Sequence, residues 1–366
     1  MRYGKFLPKN GTIGFVAPSF GCNIEPYKSA FQNAQKIFEE KGYRLALGPN
    51  CEKGDGIGIS STPRKCGAEF MEYYLSKEND ILLSCGGGEL MCEILDYVDF
   101  EKIKEAPPKW FMGFSDNTNL TFLLATLCDT ASIYGPCAPA FGMEPWHASL
   151  EDTFSLLTGS SLCKKENSIT VKSYEKWERQ SLKDEAHPLL PYHVTEPQKF
   201  RIYEPWGDSM QKRGKGIIHV AEASDEIDMS GRLLGGCMDC LGILLGTAYD
   251  KVEAFQNRYR EEGIIWFLEA CDLNVMSIRR FLWEMDHAGW FRYTKGFLIG
   301  RPLQYDMPFL GLDQYEAVVG ALEKYRVPII MDADIGHLPP MMPLITGAHA
   351  QVSLKNGKLE VTMKLQ

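Results

Sequence analysis

No apolar run in this 366-residue chain approaches the roughly 20 residues needed to span a bilayer as a helix, which argues against a membrane protein of that kind. The opening residues Met1 to Lys5 lead directly into a strand-like segment at Thr12 to Ala17 without an apolar signal region, so export by that route is not expected and a cytoplasmic location is. Basic residues are scattered and outnumbered, 39 Lys and Arg against 48 Asp and Glu, for a net charge of -9. That balance speaks against a nucleic acid or an anionic membrane as partner and favours a small or peptidic substrate. The 11 cysteines are odd in number and irregularly spaced, as in a chain of reduced thiols instead of a disulfide framework. Cys237 and Cys240 are the one close pair, and no second Cys/His pair stands at zinc spacing, so no metal is expected. No cofactor is expected either, because neither Gly-x-Gly-x-x-Gly nor a Lys-Ser/Thr following a glycine turn is present. Internal repeats and low-complexity tracts are also missing.

What the chain does have is an ordinary globular composition, 45% hydrophobic and 24% charged, at a length that divides most simply into two domains with a cleft between them. Residues 1–160 alternate strand-like and helix-like segments: strands near Ile13 to Ala17, Tyr43 to Leu47, Asp80 to Cys85 and Trp110 to Met112, helices near Tyr27 to Lys41 and Ala68 to Lys77. This alternation predicts an α/β domain built on a parallel sheet, with ligands outside the carboxyl ends of its strands. Residues 161–216 lose the regularity and read as a connection or substrate-covering loop, with Trp177 and Trp206 as candidate substrate contacts. Residues 217–366 read as a mixed α/β domain. Its expected strands lie at Gly263 to Leu268, Gly296 to Ile299, Pro328 to Met331 and Val361 to Lys364, its helices at Val275 to His287 and Asp313 to Tyr325. Gly231 to Gly236 is expected to end in a turn before a helix-like Cys240 to Gly246.

Ser115 stands in Gly113-Phe114-Ser115-Asp116, after the apolar strand and before the expected amphipathic helix containing Leu120, Phe122, Leu123 and Leu124. A serine there exposes its hydroxyl at the carboxyl end of a sheet among free backbone N–H groups, the place of an acyl-transfer nucleophile. It is equally the place of a helix N-cap. A nucleophilic serine needs a base and a group to orient that base. His337 lies in Asp334-Ile335-Gly336-His337, directly after an apolar strand and before prolines that stiffen the turn. Glu269 ends the apolar strand Ile264 to Leu268, where a carboxylate must be paired, whether with a base or as a cap of the following turn. The turn Gly86-Gly87-Gly88 lets backbone amides approach a ligand, so an N–H of Gly87 or Gly88 beside the amide of Asp116 could hold an oxyanion. Its other reading is a turn that only permits close helix packing. Two further alternatives stay open at this point: a non-catalytic protein that binds its ligand in the same cleft, and Cys85 as the nucleophile.

Cys85 to Gly88, Gly113 to Thr118, Gly235-Gly236, Phe267-Leu268-Glu269 and Asp334 to His337 together resemble the LD-carboxypeptidase family of serine peptidases, over almost the whole chain. The resemblance implies a two-domain enzyme with a triad of Ser115, Glu269 and His337 in that order, its active site between an N-terminal nucleophile domain and a C-terminal domain. It also implies a homodimer. The family has two substrate branches, one trimming terminal D-alanine from muropeptide tetrapeptides and the other, the microcin C immunity peptidases, cleaving an aminoacyl or peptidyl nucleotide. A loop tryptophan stacks on a base in the immunity branch, the part expected here of Trp177 or Trp206. Gly235-Gly236-Cys237-Met238 departs from the family's Gly-Gly-Asn-Leu, so any substrate contact made by that asparagine is not carried over.

Overall fold

Short, mostly buried apolar runs build the first sheet of the computed structural model, which describes residues 1–205 and 217–366. Its strands are β1 (Thr12–Val16), β2 (Arg44–Leu47), β3 (Ile81–Ser84), β4 (Phe111–Gly113), β5 (Ser132–Tyr134) and β15 (Leu344–Thr346), in the spatial order β15-β5-β4-β3-β1-β2. All pairs are parallel except β15 with β5. Continuous burial of β1 and β3 is what a parallel sheet covered on both faces requires. The order reverses between β1 and β3, a switch point where loops diverge and leave a crevice at the carboxyl ends.

The second sheet contains β6 (Ser168–Lys172), β9 (Arg201–Glu204), β10 (Ile217–Val220), β11 (Glu226–Cys237), β12 (Ile264–Glu269), β13 (Thr294–Gly300), β14 (Ile329–Ala333), β16 (His349–Lys355) and β17 (Lys358–Lys364). Its centre, β11 to β14, is parallel, and the flanking strands are antiparallel. β11 shows both regimes in one strand: its first half alternates exposed and buried beside β16, and its second half is buried throughout beside β12. The turn expected at the end of Gly231 to Gly236 is therefore strand, because parallel pairing with β12 continues to Cys237, and the helix Met238–Leu244 follows at once.

Residues 161–205 are not only a connection. They supply β6 and β9 to the second sheet, and between them β7 (Lys176–Trp177) pairs with β8 (Glu196–Pro197) in a small ribbon. The chain also crosses between sheets near its end, from β14 to β15 in the first sheet and back to β16 in the second. Successive β12 side chains feed two apolar layers, Trp266 and Leu268 one, Ile265 and Phe267 the other. Each layer includes residues of both sheets, such as Leu83 with Phe267 and Leu82 with Trp266, so packing fixes the two domains against each other. The helix Thr118–Cys128 is buried on nearly every side, not amphipathic as expected, because it is packed against β5 on one side and β11 and the helices Met238–Leu244 and Val252–Arg258 on the other. No helix among the described residues is long and apolar enough to cross a membrane.

Candidate active site

β4 ends at Gly113, and the chain then turns so sharply that Ser115 adopts a φ of 62°, a left-handed conformation that costs a non-glycine residue about 1–3 kcal/mol. A short 3-10 turn, Ser115–Asn117, leads into the helix Thr118–Cys128. The Ser115 hydroxyl caps neither. It lies 2.9 Å from His337 Nε2, and His337 Nδ1 lies 2.8 Å from Glu269 Oε2. Glu269 is fully buried at the carboxyl end of β12, and His337 follows β14, so the three side chains come from the carboxyl ends of parallel strands in both sheets. Gly336 makes room for the pair. Its φ is +100°, and a Cβ there would stand 2.6 Å from Glu269 Oε2.

Burial alone would raise the Glu269 carboxyl, but the His337 charge and hydrogen bonds from His337 and Tyr134 outweigh it and hold the carboxyl below its ordinary range. Burial pushes the His337 imidazole down, and the neighbouring Glu269 charge, aided by Cys271, pushes it up by more, leaving it well above the usual histidine value. Glu269 as acceptor places the proton on Nδ1, so a neutral ring presents the Nε2 lone pair to the Ser115 hydroxyl. The ring also packs on Phe114, with centroids 5.0 Å apart.

Tyr134, on β5, is a member of the site that carries no signal in the sequence. Its hydroxyl donates to Glu269 Oε1 at 2.6 Å and accepts from Ser115 N at 3.3 Å, joining the Glu269 carboxylate to the Ser115 backbone. Burial, with Glu269 beside it, keeps that phenol protonated by raising it well above its ordinary value. The Asp334 that precedes His337 forms a buried ion pair of 2.6 Å with Arg301, which also donates to the carbonyls of Asp332 and Leu338 and so braces the His337 loop from both sides.

Gly87 faces Ser115: a Cβ on it would lie 3.0 Å from both Ser115 Cβ and Oγ. A Cβ on Gly88 would instead meet Ser19 Oγ and the Gly58 carbonyl, and Phe20 N donates to the Gly87 carbonyl at 2.8 Å. Among the described residues the N–H groups of Gly87 and Asp116 have no protein acceptor. The Asp116 carboxylate works elsewhere. It accepts from Ser19 Oγ at 2.6 Å and Met91 N at 3.0 Å, tying the loops after β1 and β3 to the serine turn, and burial raises its pKa to about 6. Asn117 adds a 2.8 Å bond to the Gly86 carbonyl.

These groups line a cleft of about 840 Å³ between the loops of the two sheets. Phe20, Ile24, Tyr27 and Ile243 leave apolar surface exposed along its wall. Trp177 does not reach it: the side chain is buried, 5.0 Å from the Tyr305 ring and under the Arg301 guanidinium, where the β7–β8 ribbon docks on the body. Trp206 lies outside the described residues. Cys237, in the place of the family's asparagine, is buried with its amide donating to Thr118 Oγ1 at 3.0 Å. Cys85 is buried, with its thiol pushed well up by burial and by the thiols of Cys22 and Cys51.

Residues 13–135 match the LD-carboxypeptidase N-terminal domain and residues 230–352 the LD-carboxypeptidase C-terminal domain. The Microcin C7 self-immunity protein MccF of Escherichia coli is 23% identical over 97% of this chain and 94% of its own length. A structure of MccF in complex with aspartyl sulfamoyl adenosine superposes with a TM-score of 0.77 at 20% identity, covering 99% of this chain and 98% of that one. "Putative carboxypeptidase YocD" of Bacillus subtilis (strain 168) is 23% identical over 97% of each chain. The muramoyltetrapeptide carboxypeptidase from Oxalobacter formigenes shares the fold, with a TM-score of 0.68 at 17% identity over 97% of this chain and 99% of that one.

Proposed function

The chain belongs to the LD-carboxypeptidase family of serine peptidases, and from that premise we propose that Ser115, His337 and Glu269 cleave the terminal L,D-amide bond of a small peptide by acyl transfer. The observation that carries this reading is the unbroken chain of contacts, 2.9 Å from Ser115 Oγ to His337 Nε2 and 2.8 Å from Nδ1 to Glu269, opening on the cleft. His337 accepts the Ser115 proton as Oγ bonds to the scissile carbonyl carbon, and the carbonyl oxygen becomes an oxyanion that the N–H groups of Gly87 and Asp116 stabilise, by about 3–4 kcal/mol per donor. Glu269, held by Tyr134, stabilises the imidazolium. As the C–N bond breaks, His337 returns the proton to the leaving amine, freeing D-alanine and leaving an ester on Ser115. Water then gives a proton to His337 and attacks the ester, and its collapse releases the shortened peptide and restores the Ser115 hydroxyl.

A second reading, hydrolysis of an aminoacyl or peptidyl nucleotide, is favoured by the exposed rings of Phe20 and Tyr27 on the cleft wall, which offer stacking surface for a base. MccF has been solved with aspartyl sulfamoyl adenosine, the kind of ligand this reading requires. Incubation with an L,D-muramoyl tetrapeptide and, separately, an aminoacyl sulfamoyl adenosine, with mass detection of products, decides between them. Release of D-alanine with the nucleoside left intact is the expected result. The reverse outcome establishes the second reading, and turnover of neither, with Ser115 inert to a fluorophosphonate, overturns both in favour of a binding protein. A cytoplasmic location and the family's homodimer complete the proposal, the latter checked by light scattering on the purified chain.

A further inference from the structure

The cleft is acidic. Glu89, Glu178, Asp239 and Asp272 line it, none within ion-pair distance of a lysine or arginine among the described residues. Two of these are committed within the protein, Asp239 to the amides of Cys271 and Asp272 at 3.0 and 2.9 Å and Glu178 to the amide of His193. Against that background Lys183 is the one lysine or arginine lining the cleft among the described residues. It belongs to the loop 178–195 that joins β7 to β8, which also contributes Tyr192 to the wall. The loop's base is fixed to the site: Glu178 N donates to the carbonyl of Pro339, two residues beyond His337, at 2.7 Å. Five residues of chain then carry Lys183 no further than about 18 Å from that anchor.

Lys183 is half-buried and, among the described residues, has no carboxylate within ion-pair distance. Burial holds its ammonium below the ordinary lysine value, which the Glu178 charge only partly offsets. A desolvated cation without a partner is a cost that an arriving anion removes. A carboxypeptidase substrate brings one anion by definition, the free α-carboxylate of the residue to be released, and the carboxylates elsewhere on the cleft wall repel it. We propose that Lys183 binds this α-carboxylate and selects peptides that end in a free carboxylate over the same peptides ending in an amide. The inference rests on the peptidase reading above and names its specificity residue.

Calorimetry with the tetrapeptide L-Ala-D-isoGlu-L-Lys-D-Ala and its C-terminal amide tests it without requiring turnover. Ser115→Ala enzyme should bind the acid at least about tenfold more tightly than the amide, the difference expected of a charged hydrogen bond. The preference should vanish in the Ser115→Ala, Lys183→Met double variant and persist when Lys183→Arg is used instead. Equal affinities in the single variant, or a preference that survives Lys183→Met, overturn the assignment. A carboxylate preference in binding, with no release of D-alanine by the unmodified enzyme, supports Lys183 and overturns the peptidase reading. Failure of both peptides to bind overturns the Lys183 assignment and the peptidase reading together.

Discussion

Replacing Tyr134 by Phe removes one oxygen atom from beneath Glu269 and Ser115 and leaves the ring packing in place. That oxygen donates to the fully buried Glu269 at 2.6 Å and accepts from Ser115 N at 3.3 Å. A hydrogen bond to an ionised group contributes about 1.5–3 kcal/mol, and a buried acceptor stripped of its donor forfeits it. The thermal midpoint should therefore fall by a few degrees. The kinetic sign follows from charge. Without the phenol, Glu269 is less neutralised and holds the imidazolium more firmly, so the His337 pKa, already raised by Glu269, moves up further. His337 must be neutral to take the Ser115 proton, so the acidic limb of the kcat/KM profile, already above the ordinary histidine range near 6.5, shifts to higher pH. At a fixed pH below the limb, the rate falls about tenfold when the midpoint rises by about one pH unit. Glu269→Gln acts oppositely on the limb: it removes the charge that raises the imidazole, so the midpoint moves down. At the same time kcat drops on the order of 10⁴-fold, because no carboxylate stabilises the imidazolium, while substrate binding is retained. Profiles of the two variants that shift in the same direction, or that both coincide with wild type, would refute the assignment of Glu269 as the charged partner of the base.

Gly87→Ala places a Cβ 3.0 Å from the Ser115 hydroxyl, so kcat/KM should fall by at least about 100-fold with circular dichroism unchanged; near-normal activity would remove this loop from the oxyanion site. Burial lifts the Asp116 pKa to about 6 from 3.8, so between those values the folded chain keeps a proton that the unfolded chain has lost, and this group's contribution to stability falls as pH rises through about 6. Asp116→Asn should accordingly reduce the loss of urea stability between about pH 4 and about pH 7, and an unchanged loss would contradict the buried ionisation. Ser115→Ala should abolish turnover with the thermal midpoint at or above that of wild type, since the strained turn is kept and only a hydroxyl is lost; residual turnover at the wild-type rate would exclude Ser115 as nucleophile.

Ser115, Glu269 and His337 are legible in the sequence because each is a polar residue placed directly after an apolar run, where a strand must stop and a loop must carry function. Tyr134 gives no such signal: it closes an apolar strand as an ordinary core residue would, and its partner Glu269 is 135 residues away on the other sheet. The same limit hides β6, whose partner β17 lies close to 190 residues further along, and β15, which returns to the first sheet only through pairing with β5. Trp177 misleads for the converse reason. In a polar, proline-containing segment a tryptophan suggests surface, and only Tyr305 and Arg301, distant in sequence, make its position a buried one. Gly87 and Gly88 are indistinguishable as letters, and only the folded loop shows that a Cβ on Gly87, and not on Gly88, would meet Ser115.

Activation of Ser115 by His337 is the step on which the whole mechanism depends, and a fluorophosphonate probe with peptide mapping tests it most directly. The prediction is a single adduct on Ser115 in the unmodified protein, and none in a folded His337→Ala variant. An adduct on another residue, or undiminished labelling of Ser115 without His337, would contradict it.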